Sequence, residues 1–282
     1  MGPVTTRDLL RRADDLPDHE MVRLVMAATG LSRSEVLADK EISESEAAAL
    51  KAMVTARRAG EPLQYLEGSI PFGPAELAVD QRALIPRPET EQLYELASTD
   101  VDHPQVIVDI GTGTGCLAVA LKMAFPTARV IGTDVSPLAL SLAHENADRN
   151  GVDVELHVGS LFEAIPRTVA GEIDLLVSNP PYVTTAEMGA LPDEIGEWEP
   201  RLALHGGTDG LAVIRPLIEG LPQWLAPDGA ALIEVGAGHA DDAASLAIPV
   251  FERTEILPDL TGRNRFLKIT FDSRHFAVNG DG

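Results

Sequence analysis

The chain has 282 residues, long for one domain and enough for two; folding at that size buries about 70% of the unfolded surface, so no disulfide or metal is needed to hold the core. Lys and Arg number 22 against 44 Asp and Glu, a formal charge of −22 that repels a phosphate backbone over most of the surface and excludes a general nucleic-acid-coating role. The single cysteine, Cys116, excludes internal disulfides and a Cys-rich zinc centre; with a charged N-terminus and no run near eighteen apolar residues, a soluble cytoplasmic protein with no membrane contact is expected.

In chain order, residues 4–60 read as helices only. Leu9, Leu10 and Leu16 begin an apolar stripe that Met21, Val22, Leu24, Val25 and Met26 continue at helical spacing. Ser32 with Glu35, and Ser43 with Glu46, have capping-box spacing ahead of helical runs, and Gly30 and Gly60 mark C-terminal stops. Residues 1–60 are therefore expected to form a small all-α domain. Residues 61–88 change character: Pro62, Pro71, Pro74, Pro86 and Pro88, with Gly68 and Gly73, break up two extended segments, Ser69–Phe72 and Glu76–Val79. This predicts a β-hairpin linker turning at Phe72-Gly73-Pro74. The stretch Leu84-Ile85-Pro86-Arg87-Pro88-Glu89-Thr90-Glu91 then opens a helix that runs through Glu95 and Leu96.

Residues 89–282 form the third expected unit. Apolar, β-rich runs fall at Val106–Ile110, Arg129–Thr133, Val154–Val158, Ile173–Ser178 and Ala230–Val235, with helical stretches such as Leu117–Phe125 and Pro137–Arg149 between them. Such alternation predicts an α/β fold, a parallel sheet with helices on both faces. Val250–Leu257 and Arg265–Phe271 predict an antiparallel pair at the end of the sheet, and the polar tail after Phe276 reads as frayed.

Directly after the first strand of this unit comes Gly111-Thr112-Gly113-Thr114-Gly115. Glycines let the backbone turn sharply and let a ligand approach without meeting a Cβ, and the helix that follows offers unpaired N–H groups. Cys116 stands where a dinucleotide fingerprint wants glycine or alanine, which disfavours a nicotinamide dehydrogenase. The second strand ends in Asp134, an acid that can accept both hydroxyls of a ribose. Together these features suit an adenosine ligand without a pyrophosphate, such as S-adenosylmethionine; the alternatives are a plain strand-to-helix turn for the glycines and a helix N-cap for Asp134.

The run Ile173–Ser178 leads into Asn179-Pro180-Pro181-Tyr182, at the carboxyl end of a strand, where ligands of open α/β sheets bind. A planar NH₂ group is a poor nucleophile because its lone pair is delocalised. The Asn179 side-chain oxygen and the Pro180 carbonyl can each accept a hydrogen bond from it, drawing the nitrogen out of plane and aiming its lone pair at an electrophilic methyl. The prolines stiffen the turn, and Tyr182 offers a flat surface for stacking.

These segments resemble the release-factor glutamine methyltransferases, the PrmC/HemK family. The likeness rests on Leu84 to Glu91, Asp109 to Gly115 and Ser178 to Tyr182. It extends through Glu61-Pro62-Leu63-Gln64-Tyr65, Trp198 to Leu204, Gly206 to Leu211 and Gly262-Arg263-Asn264-Arg265. It implies a class I, Rossmann-like methyltransferase sheet preceded by a helical substrate-recognition domain and hairpin linker. It also implies methyl transfer from S-adenosylmethionine to the side-chain amide of the glutamine in the Gly-Gly-Gln loop of class I peptide chain release factors, modulating translation termination. By the same resemblance Asn179, Pro180, Pro181 and Tyr182 hold the substrate amide. Gly111, Thr112, Gly113, Thr114, Gly115 and Asp134 hold the methyl donor, and Leu161 lies near its adenine. Ser160 stands where the family commonly has Asp, His239 where it often has Gln, and Asn264 where Asp is usual.

Other residues carry two readings. Arg87 either contacts the substrate backbone or pairs with an acid, and the Glu199-Pro200 segment either closes over the site or packs beneath it. Cys116 reads as a buried small hydrophobe, and His103, His144, His157, His205 and His239 lack ligand spacing, so no metal site is expected. Two competing functions remain. An adenine amino-methyltransferase acting on nucleic acid would face the same planar NH₂, against which the acidic charge counts. A non-catalytic binding protein would have no use for intact donor and acceptor motifs.

Overall fold

The computed structural model of the chain describes residues 4–10, 15–251 and 253–270; the expected tail after Phe276 and the last residue of the expected final strand, Phe271, lie outside them. The chain divides into two compact units, one of residues 1–70 with 192–198 and the other of residues 71–191 with 199–282.

In the first unit, β1 (Val4–Thr5) leads into α1 (Thr6–Leu10), followed by α2 (Asp18–Thr29), α3 (Arg33–Leu37), β2 (Glu41–Ile42), α4 (Glu44–Arg58) and α5 (Leu63–Glu67). Both predicted capping boxes form. The Ser43 hydroxyl accepts from the Glu46 N–H at 3.2 Å while the Glu46 carboxylate accepts from the Ser43 N–H at 2.6 Å, and Ser32 with Glu35 repeats the arrangement. The stripe from α2 buries Met21, Val22, Leu24 and Val25 against Val36, Leu50, Val54 and Leu63. The expectation of helices alone is corrected by β1 and β2, which pair antiparallel. A two-residue strand carries no periodicity to read. Residues 192–198, with the one-turn α9 (Asp193–Gly196), belong to this unit: Glu194 pairs with Arg57 at 3.2 Å, and a Cβ on Gly60 would lie 3.4 Å from Trp198 Nε1. Their membership was not readable from the sequence.

The division between the units falls inside β3 (Ser69–Phe72), which pairs with β4 (Ala75–Ala78). The second strand begins one residue earlier than predicted. Then come α6 (Pro88–Asp100), β5 (Val106–Ile110), α7 (Cys116–Ala124), β6 (Arg129–Asp134), α8 (Pro137–Arg149), β7 (Glu155–Val158) and β8 (Ile173–Ser178). After α10 (Arg201–Leu204) and α11 (Ile214–Gly220), the chain finishes with β9 (Leu225–Glu234), α12 (Ala240–Ala247), β10 (Arg253–Pro258) and β11 (Asn264–Thr270). The large sheet has the order β10-β11-β9-β8-β5-β6-β7, with β5 through β9 parallel and β11 and β10 antiparallel at one edge, as the apolar runs predicted.

This order reverses at β5. From β5 the chain winds outward to β6 and β7, then returns to place β8 on the other side of β5 and continues to β9. Right-handed crossovers in opposite directions put α7 and α8 on one face and α11 and α12 on the other. The core on the α11–α12 side joins Val108, Ile110, Leu176 and Ile233 of the strands to Ile214, Leu217, Ala243 and Ala247 of the helices. At the reversal, Ile110 and Ser178 are register partners, so the segments that follow them, Gly111 onward and Asn179 onward, leave the sheet side by side.

Candidate active site

A cavity of about 370 Å³ opens at these strand ends. Its walls include Gly111, Thr112, Gly113 and Thr114 after β5, Asp134 and Val135 at the end of β6, Leu161 after β7, and Asn179, Pro180 and Pro181 after β8. The two motifs read separately from the sequence therefore face one space.

The glycine loop is held by its neighbours. The N–H groups of Gly111 and Thr112 both donate to the Thr133 carbonyl, at 2.8 and 2.9 Å, and the Gly113 N–H donates to Asp134 Oδ2 at 3.0 Å. Gly111 and Gly113 have φ of +74° and +56°, and a Cβ on Gly111 would meet nothing within 4 Å. Glycine is required there by backbone conformation. Gly115 has φ +80° and is also crowded, since a Cβ would lie 3.0 Å from Ala143 Cβ on α8. Asp134 is not the N-cap of the next helix; Ser136 is, accepting from the Ala139 N–H at 3.2 Å. Asp134 Oδ1 accepts from the Ser136 N–H at 2.8 Å, so both carboxylate oxygens are held by backbone donors. Burial outweighs these bonds and raises its pKa. Leu161 lines the wall with a left-handed backbone, φ +49°, rare for a branched side chain.

Two buried polar atoms on cavity-lining residues have no partner, Asp109 Oδ1 and Thr133 Oγ1. Asp109 Oδ2 accepts from Thr112 Oγ1 at 2.6 Å and from the Ala118 N–H at 3.2 Å. Desolvation nonetheless pushes the Asp109 pKa up to about 7. A raised carboxylate pKa means the folded state holds a proton that the unfolded chain releases, so stability falls as pH rises from about 4 to about 7. Asp109→Asn is expected to remove on the order of 3–4 kcal/mol of that decline. Urea unfolding of both proteins at pH 4, 5.5 and 7 checks this, and parallel pH dependences would refute it.

Asn179 is oriented by residues that the sequence did not single out. Its Nδ2–H donates to Thr90 Oγ1 at 2.9 Å, Thr90 donates on to Glu234 Oε2 at 2.9 Å, and the Tyr182 hydroxyl donates to Glu234 Oε1 at 3.1 Å. With its nitrogen engaged, Asn179 has its side-chain oxygen left to accept, as its proposed chemistry requires. Thr90 lay within the Leu84–Glu91 segment, but Glu234, 144 residues away, sits in an apolar run where no spacing marks it.

Two expected site residues stand elsewhere. Tyr182 is not on the cavity wall: its hydroxyl is drawn to Glu234, its ring packs on the core, and the Arg265 guanidinium lies 6.0 Å from the ring centroid. Tyr182 is partly buried, and burial raises the phenol pKa. Arg87 does not line the cavity either. It pairs with the buried Glu199 carboxylate, which also accepts from the Ile85 N–H at 3.1 Å. Arg87 thus has an acid partner, and Pro200, Leu202, Ala203 and His205 reach the cavity. Cys116 is buried and free, its thiol pushed up to about 12 by desolvation. Among the described residues no cluster of three or more His, Cys, Asp or Glu side chains could hold a metal ion, and no helix is long and apolar enough to cross a membrane.

Comparison with known proteins gives the same placement. Residues 90–194 match the family described as methyltransferase small domain, and residues 5–68 match the PrmC N-terminal domain. A solved methyltransferase from Pyrococcus furiosus is 20% identical and superposes with a TM-score of 0.52 over 70% of this chain and 89% of its own; the fold is that of class I methyltransferases. A release factor glutamine methyltransferase of Geobacter sulfurreducens is 41% identical, covering 82% of this chain and 80% of its own. Another, of Deinococcus radiodurans, is also 41% identical and covers 93% and 94%. With such identity sustained over most of its length, this chain belongs to the release factor glutamine methyltransferase family.

Proposed function

We propose that this enzyme transfers a methyl group from S-adenosylmethionine to the side-chain amide nitrogen of the glutamine in the Gly-Gly-Gln loop of class I peptide chain release factors. The observation that carries the reading is the Asn179 amide, anchored through its nitrogen on Thr90 so that its oxygen is left as the acceptor, beside the glycine loop and Asp134.

The residues present fit the donor. Open space over Gly111 and Gly113 admits a ligand against the backbone, and Asp134 offers a carboxylate to ribose hydroxyls. Val135 and Leu161 offer apolar walls for a base, and the orphaned Asp109 and Thr133 oxygens suit polar groups at the amino-acid end. When bound, S-adenosylmethionine supplies a methyl on a positively charged sulfur. Asn179 and the Pro180 carbonyl accept from the two N–H groups of the substrate amide and turn its lone pair toward that methyl. Catalysis is then mainly positioning, and no general base is needed because the nitrogen sheds its proton after the new N–C bond has formed.

Residues 1–60 serve in this reading as the substrate-recognition domain, gripping the body of the release factor away from the methylated atom. The charge of −22 supports a protein substrate with no direct nucleic-acid contact, and a substrate that acts on ribosomes supports a cytoplasmic setting. The test sets intact release factor, a short Gly-Gly-Gln peptide and adenine-containing DNA side by side with labelled donor. Efficient labelling of the glutamine in the intact factor, with a large loss on the peptide, is expected. Preferential labelling of the DNA would hand the site to the adenine reading.

A further inference from the structure

The mechanism uses the Asn179 oxygen but does not explain what decides which way the amide faces. Asn179 can rotate half a turn about its last bond, exchanging oxygen for NH₂ with little change of shape. Only one orientation accepts from a substrate NH₂; the other presents hydrogens to hydrogens. The neighbouring Thr90 hydroxyl is no arbiter by itself, because it can both donate and accept. Its direction is set one step further on, at Glu234, which is 1% exposed at the end of β9 and takes both Thr90 and Tyr182 on its two oxygens.

We propose that Glu234 is a positioning residue for methyl transfer: its ionised carboxylate, acting through the Thr90 hydroxyl, holds Asn179 with the side-chain oxygen turned to the substrate. The inference rests on Asn179 being the acceptor of the substrate amide, and deepens that reading. An ionised carboxylate only accepts, so Thr90 must spend its hydrogen on Glu234 and offer a lone pair to Asn179, which answers with its NH₂. Protonation reverses the chain. The neutral acid donates to Thr90, the Thr90 hydrogen turns to Asn179, and the amide is drawn round to place its oxygen on Thr90 and its NH₂ toward the substrate.

The groups facing Glu234 are Glu89 and Thr90 from α6, Cys116 from α7, Tyr182 from the loop after β8, and Arg265 from β11. Burial is the largest influence and Glu89 adds to it, while the two hydroxyl donors and Arg265 oppose them; together they push the Glu234 pKa up to about 7. The chain thus reverses near neutral pH. Turnover should rise with pH through neutrality as Glu234 ionises.

Two readouts test this on the full chain. The first needs no substrate: the side-chain amide resonances of Asn179, followed by NMR from pH 5.5 to 8.5, are expected to titrate in the wild type and to stand still in Glu234→Gln. The second is turnover on intact release factor. Thr90→Val, which keeps shape and loses the hydroxyl, should lower kcat about tenfold while leaving KM and donor affinity within about twofold, and Thr90→Ser should restore it. The acid limb of the kcat profile should vanish in Glu234→Gln. Asn179 resonances that titrate equally in Glu234→Gln, or Thr90→Val turning over like the wild type, would overturn the proposal. If the Asn179 titration follows expectation but the release factor is not methylated, the substrate reading fails and the proton-linked orientation stands.

Discussion

Asn179→Ala is expected to lower turnover on intact release factor by a factor on the order of 10² or more, with S-adenosylmethionine affinity nearly unchanged. The alanine removes an acceptor that matters most when the substrate nitrogen pyramidalises, so the loss falls on kcat. It also strands the Thr90 hydroxyl, which loses the amide it accepts from at 2.9 Å but keeps Glu234 at 2.9 Å, so the fold suffers little. Single-turnover kinetics with calorimetric donor binding separates the two effects. Near wild-type turnover would remove Asn179 from the chemistry, and a large loss of donor affinity would move it to the other half of the site.

Asp134→Ala is expected to weaken donor binding by about 1.5–3 kcal/mol, roughly tenfold to more than a hundredfold in Kd. Part of the loss is direct, a charge-assisted acceptor for ribose hydroxyls. Part is structural: Asp134 ties the Gly113 N–H at 3.0 Å and the Ser136 N–H at 2.8 Å, so its removal also frees the glycine loop. Asp134→Asn, which keeps one acceptor oxygen, should fall between. Unchanged affinity in the alanine variant, measured by calorimetry, would sink the assignment of the donor site.

Much of this was legible in the sequence, and for physical reasons. Strands buried on both faces are mostly apolar, so β5 and β8 were read at their observed bounds, and the segments that follow them are the glycine loop and the Asn-Pro-Pro-Tyr turn. Capping boxes are local chemistry and announced α3 and α4. What escaped was non-local or irregular. β9 begins at Leu225, five residues before the predicted start, because Pro227-Asp228-Gly229 reads as a breaker; the strand absorbs it with Asp228 at φ +69° and a shift of register against β8. Tyr182 read as a free aromatic face because its partner Glu234 lies 52 residues on, and the same distance problem hid Thr90 and Arg87–Glu199. Spacing along a chain reports helices and strands, not which carboxylate a hydroxyl will find across a sheet.

Residues 192–198 give the helical unit a property that its length alone would not suggest. The unit is sewn from two stretches of backbone, and the chain passes between the units at three points, after residues 70, 191 and 198. It is therefore not a detachable cassette. A shortened protein starting near residue 61 keeps Glu194 without its Arg57 and Trp198 without the glycine turn it rests on. A chimera that borrows only residues 1–70 from a relative mixes donor and host in one small core. Exchange of the whole unit between relatives requires both stretches to travel together, the second of them seven residues set within the sequence of the other unit.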